Sequence, residues 1–191
     1  MKSKRQVLVS ALVVAGIALA CAGPGLAATA KPTAAAAAAA KPTAAQVPSS
    51  IGSFKSWTAW KGADANGMIC YISSEPTTSK PDGAKRDPIH FLVVNRKGLG
   101  TKNEVQTLIG YPLKKDSKPT AAIDGKTYPM IADGNGAWLA SAADEAGFVE
   151  KLKSGHSLVV TGTSQRGTDT TDTYSLSGAT AALEAIAKAC S

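Results

Sequence analysis

After residue 50, apolar and polar positions alternate with a period of two in short runs, and glycine, proline and aspartate punctuate them. That pattern predicts half-buried strands. Phe54–Trp60 (FKSWTAW) reads as a first strand, with Phe54, Thr58 and Trp60 on one parity and Trp57 on the other. Gly62–Gly67 turns the chain into Met68–Ser73 (MICYIS), where Cys70 and Ile72 share a face opposite Ile69 and Tyr71. Ile89–Asn95 and Glu104–Gly110 continue the series on either side of an RKGLG turn. Asp124-Gly125, inside Ala121–Met130, is a hairpin signal because glycine tolerates positive φ. Asp133–Gly136 (DGNG) turns into Ala137–Ala140, a short strand that places Trp138 in the core. Ser157–Ser164 is a further strand, and Gln165–Thr170 a flexible turn.

The period lengthens twice. Ser141 is positioned to cap a helix, with Asp144 three residues on to complete a capping box. Phe148, Val149 and Leu152 form its apolar face, Lys151 and Lys153 suit its C-terminal dipole, and Gly155 lies just beyond. The tail, Thr171–Cys190, reads as strand, corner and helix. Thr173, Ser175 and Ser177 alternate with Tyr174 and Leu176; Ser177 is the expected cap, and Leu183, Ile186 and Ala187 make one stripe along Ala179–Ala189. A helix of three turns is marginal alone and must dock. Seven or more strands with glycine-marked turns and no βαβ rhythm predict a mainly β fold. The expected form is an antiparallel β-sandwich or partly open barrel, with a helix between late strands and a C-terminal helix.

The N-terminal quarter has a different texture. Lys2, Lys4 and Arg5 precede an apolar run, Val7–Ala20, and Ala28, Thr29 and Ala30 offer small residues for cleavage. Residues 1–30 are therefore expected to be a secretory signal peptide. Cleavage before Cys21, giving a lipid anchor on that residue, is the alternative. Residues 31–50 repeat KPTAA and carry little to bury, so they read as a linker, leaving 51–191 as one β-rich domain. Nothing after Ala30 is long and apolar enough to span a bilayer as a helix. The formal net charge is +7, but without residues 1–30 the chain has 18 basic and 14 acidic residues. That modest excess is a weak argument for nucleic acid, which is not expected as a partner, and fits an anionic cell surface equally well.

With the leader gone, Cys70 and Cys190 are the cysteines that remain. An even pair in an exported chain reads as a disulfide, with two free thiols the alternative. Catalytic signatures are missing. His90 and His156 lie in no metal-ligand spacing, there is no GxSxG, and no phosphate-loop or dinucleotide fingerprint is present. No catalytic, metal-ligating or cofactor-binding residue is therefore assigned, and no cofactor is expected. Two polar loops are rich in bases: Glu75–Pro88, with Lys80, Lys85 and Arg86, and the turn with Lys114, Lys115 and Lys118. These six side chains are the candidate partner contacts.

Three stretches together carry a resemblance: FKSWTAW with CYIS, the hairpin IDGKTYPM with AWLASAADEAGFVEKLKSG, and the closing YSLSGATAALEAI. The chain resembles the invasion-associated locus B family of exported proteins from Gram-negative bacteria over roughly Phe54–Cys190. The resemblance implies an envelope protein, periplasmic or secreted, linked in pathogenic members to host-cell entry and without established catalytic residues. Members often carry a late cysteine pair near the strand before the central helix, where this chain has Trp138 and Ala142. The functional expectation is a non-catalytic envelope protein that binds a protein or a surface polymer. A periplasmic hydrolase using His90 or His156 and a purely structural envelope protein are the alternatives.

Overall fold

The computed structural model describes residues 46–191; the expected signal peptide and most of the linker lie outside the described residues. Strands β1 (Gln46–Phe54), β2 (Trp57–Asp64) and β3 (Gly67–Ser74) form a meander. A long connection holding the short β4 (Thr78–Lys80) leads to β5 (His90–Arg96) and β6 (Thr101–Leu108). Then come β7 (Thr120–Ile123), β8 (Lys126–Asp133), β9 (Gly136–Leu139) and helix α1 (Ala142–Ser154). The chain ends with β10 (Ser157–Thr163), β11 (Asp169–Ser175) and α2 (Ala179–Ala189).

All eleven strands join one antiparallel sheet in the order β1-β2-β3-β5-β6-β9-β8-β7-β10-β11-β4. β1 and β4 stand at opposite ends of that order, so the sheet is not closed into a barrel. It is folded over on itself. Phe91 on β5 and Tyr174 on β11 are far apart in strand order, yet their ring centroids are 5.8 Å apart. Phe148 of α1 enters the same cluster, 5.8 Å from Phe91 and 4.9 Å from Tyr128. One face of each helix packs against the inward residues of the sheet.

The expected fold class holds, and the differences have local causes. FKSWTAW is not one strand. Lys55 has φ of 53°, which turns the chain between β1 and β2 and aims Trp57 inward, where its indole N–H donates to the Ser175 carbonyl at 3.0 Å. β1 begins at Gln46, ahead of the expected Ile51. The Asp124-Gly125 hairpin forms as expected, with φ of 46° and 89°. On β9 it is Ala137 and Leu139 that are buried, and Trp138 is half-buried on the opposite face. Ser141 begins α1 but makes no side-chain capping bond; its carbonyl accepts from the Asp144 amide instead.

At the tail, Gly178 and not Ser177 precedes the helix, with φ of 94°. A Cβ there would stand 1.9 Å from the Phe54 carbonyl oxygen, so both the backbone angle and the space demand glycine. The buried stripe of α2 is Ala179, Ala182, Leu183 and Ile186, while Ala187 is exposed. Small alanines let α2 lie close on β1, β2 and β3.

Cys70 and Cys190 form the disulfide, with Cα atoms 6.1 Å apart across 120 residues. Cys70 is fully buried on β3, so the bridge ties the end of α2 to the middle of that strand. Replacing both cysteines with serine is expected to cost about 2–5 kcal/mol in urea denaturation. Amide exchange should show α2 opening before the sheet. A loss below about 1 kcal/mol would mean that the apolar stripe holds the helix without the bridge.

Candidate functional site

Both basic loops of the sequence are held by hydrogen bonds to the same hairpin, β10–β11. In the first loop, β4 pairs with β11 through Lys80–Thr171, Ser79–Asp172 and Thr78–Thr173, and the Thr77 amide adds a bond to the Thr173 carbonyl at 2.7 Å. Leu113 bridges to Ser164, the Lys114 amide donates to the Thr163 carbonyl at 2.9 Å, and the Gln165 amide donates to the Pro112 carbonyl at 3.0 Å. The Lys114–Lys118 turn is thereby laid against the turn that carries Arg166.

Within this end the six expected contacts divide. Lys85, Lys114, Lys115 and Lys118 are exposed. Lys80 is also exposed and is paired with Asp82 at 2.6 Å. Arg86 is not a surface contact, which corrects the expectation for that residue. Its side chain is 6% exposed and forks onto the fully buried Asp172, with Nη1–Oδ1 at 2.8 Å and Nη2–Oδ2 at 2.6 Å. Nε and Nη2 also donate to the Ile109 carbonyl at 3.1 and 2.7 Å. The guanidinium carbon sits 5.0 Å from the centre of the Tyr111 ring. Desolvating an arginine is tolerable here because its fork meets a carboxylate and a carbonyl in plane.

Tyr111 in turn hydrogen-bonds Thr170, and burial pushes its phenol above the ordinary range. Tyr174, inward from Asp172 on the same strand face, is pushed up more strongly, first by burial and then by the Asp172 charge. Above this interior network lies an open cleft of about 330 Å³, lined by Lys85, Arg86, Tyr111, Ser164, Arg166 and Thr168. Its exposed cations are Lys85 and Arg166, since the Arg86 charge is met by Asp172. Arg166 was missed in the sequence because QRG reads as an ordinary turn and nothing in its spacing says which loops it will meet.

The histidines do not line this cleft. His90 lies on β5, where its carbonyl accepts from the Thr107 hydroxyl. His156 has a side chain 93% exposed, with Nδ1 3.5 Å from Asp124 Oδ2. Asp124 is held below the usual carboxylate range because the Ser157 and His156 amides donate to it, so it serves the start of β10. Among the described residues, no three His, Cys, Asp or Glu side chains converge as a metal site would require. A second hollow, of about 480 Å³, lies between the β5–β6 turn and the end of α2. There Lys97 donates to the Ser191 carbonyl at 2.7 Å, beside Cys190.

The family model described as invasion associated locus B (IalB) protein matches residues 57–187, from the start of β2 to the last turn of α2. The chain belongs to the invasion associated locus B family. No curated protein and no solved structure matches it. The match takes in the IalB chain's basic end, from β4 through the Arg166 turn, as well as Arg86 and Asp172. No helix among the described residues is long and apolar enough to cross a membrane.

Replacing Arg86 tests the anchor. Arg86→Met strands Asp172 without a partner and is expected to cost about 3–5 kcal/mol in urea denaturation. Arg86→Lys keeps the charge but loses the planar fork and should fall between the two proteins. Equal stability of the three would show that the pair does not hold the loop.

Proposed function

We propose that this protein is a non-catalytic exported envelope protein that attaches, through its basic end, to an anionic macromolecule of the envelope or of a host surface. The observation that carries this reading is the convergence of Lys85, Lys114, Lys115, Lys118 and Arg166 around one hairpin. Family membership supports an invasion-associated role, and the disulfide suits an oxidising compartment outside the cytoplasm.

The chemistry of the site fits attachment. Flexible ammonium groups at a loop surface give a field that steers an anionic polymer and then holds it loosely. Arg86 and Asp172 fix the loop backbone, so less conformational entropy is lost when the partner arrives. Exposed charges act over about 8 Å at physiological salt, which makes the attachment salt-sensitive.

Changing Lys114, Lys115, Lys118 and Arg166 together to glutamine should weaken retention on immobilised heparin and on purified envelope material. At about 0.2–1 kcal/mol per exposed charge, the four together weaken retention by roughly fourfold to several hundredfold. Retention that ignores both the substitutions and a salt series would refute the proposal.

A further inference from the structure

An antiparallel sheet that buries one face ordinarily keeps its other face polar. Here the outward face sets aromatic and aliphatic side chains among its polar ones. Register places Trp60 opposite Tyr71, and Tyr71 opposite Val94. The next rank reads Thr58, Ser73, Leu92, Gln106, Trp138 and Ile131 across β2, β3, β5, β6, β9 and β8. Ile131 is 59% exposed, and Trp60, Tyr71, Leu92 and Trp138 are each half-buried. Val94 is 1% exposed yet stands outside the core cluster, covered on this outer face. Two of the three tryptophans therefore sit on the side of the sheet that faces away from the core.

Their rings are held in place. Trp60 stacks on Tyr71, the planes 18° apart, and its indole N–H donates to the Ser73 hydroxyl at 2.9 Å. Trp138 lies along its own strand. A Cβ on Gly136 would come within 2.7 Å of Trp138 Cη2, so the indole covers the glycine and turns its other face outward. Glycine at 136 makes the room that lets the ring lie flat.

The charge pattern selects the occupant. The rank from Thr58 to Ile131 carries no charged side chain, and the other ends at Glu104, opposite Val94. Along the margin Arg96 meets Asp64 at 2.7 Å and reaches Glu104 at 3.7 Å. Asp133 adds a further acid beside Gly136. Acids outnumber bases on that margin, which opposes an anionic polymer. A strongly basic partner finds one acid within the ranks, Glu104, and Arg96 already meets it.

We infer that this face is a second binding surface, and that it takes an uncharged oligosaccharide chain. A sugar ring presents an apolar C–H face, which suits Trp60, Tyr71 and Trp138. Its hydroxyl rim suits Thr58, Ser73 and Gln106. Tyr71 and Trp138 are three strand spacings apart, about 14 Å at about 4.8 Å per strand, which exceeds one sugar ring and calls for a chain. The surface is separate from the basic end and does not rest on the function proposed for it.

Tryptophan fluorescence of the oxidised protein, titrated with chitohexaose, maltohexaose and N-acetylglucosamine, tests this. Trp57 is buried, so a ligand-dependent change reports Trp60 and Trp138. At least one hexasaccharide should bind, and the monosaccharide should not. Trp138→Ala and, independently, Gln106→Ala should weaken binding followed by calorimetry, the former about fivefold or more. Neutralising Lys114, Lys115, Lys118 and Arg166 should leave it unchanged. Silence toward both hexasaccharides, or equal binding by both face variants at unchanged urea midpoints, overturns the inference. So does binding that disappears with the basic end.

Discussion

A carboxylate without exposed surface cannot stay charged and unpartnered, and Asp172 is such a carboxylate. Its partner comes from a loop 86 residues earlier, and that loop must return to β11 to deliver it. The rest of this end of the molecule follows. Arg86 enters beneath Tyr111, β4 pairs along β11, and the Asp87 amide closes on the Gly110 carbonyl at 2.9 Å. A long polar connection thus becomes an edge strand and a wall of the cleft. Replacing such a pair with apolar residues can be neutral or better, so its value lies in specifying where the loop goes rather than in net stability.

The disulfide does comparable work elsewhere. Its closed loop spans 120 residues, so it constrains the unfolded chain as well as the docked helix. Between them, an ion pair and a covalent bond fix the two segments least able to hold themselves: a proline-rich loop and a three-turn helix. What remains on the surface is then free to carry charge at one end and aromatic rings on one face. The two surfaces suit different chemistry, since the first attracts through a field and the second through contact.

Much of this was legible in the sequence, and the rest was hidden for physical reasons. Alternation showed the strands, and Cys70 beside Ile72 marked the inward face of β3. The Asp124-Gly125 turn formed because its chemistry is local. Trp138 misled because a large apolar residue is expected inside, whereas Gly136 makes room for it outside. Arg86 misled because a base in a polar loop ordinarily stays in water. The signal that placed it was on another strand: Asp172 shares the parity of Tyr174 and Leu176, the inward one, and a charge on that parity demands a partner. Which base would answer is a matter of topology, and no local pattern carries it. Arg166 escaped for the same reason.

Amide hydrogen exchange of the unaltered protein, read at Thr77 and Asp87, tests the central claim most directly. These two amides bond across the loop's junctions with β11 and Gly110. If the Arg86–Asp172 pair builds the loop into the fold, both should be protected nearly as well as the amides of the β10–β11 ladder. Exchange at the rate of an unstructured loop, with β10 and β11 still protected, would contradict it.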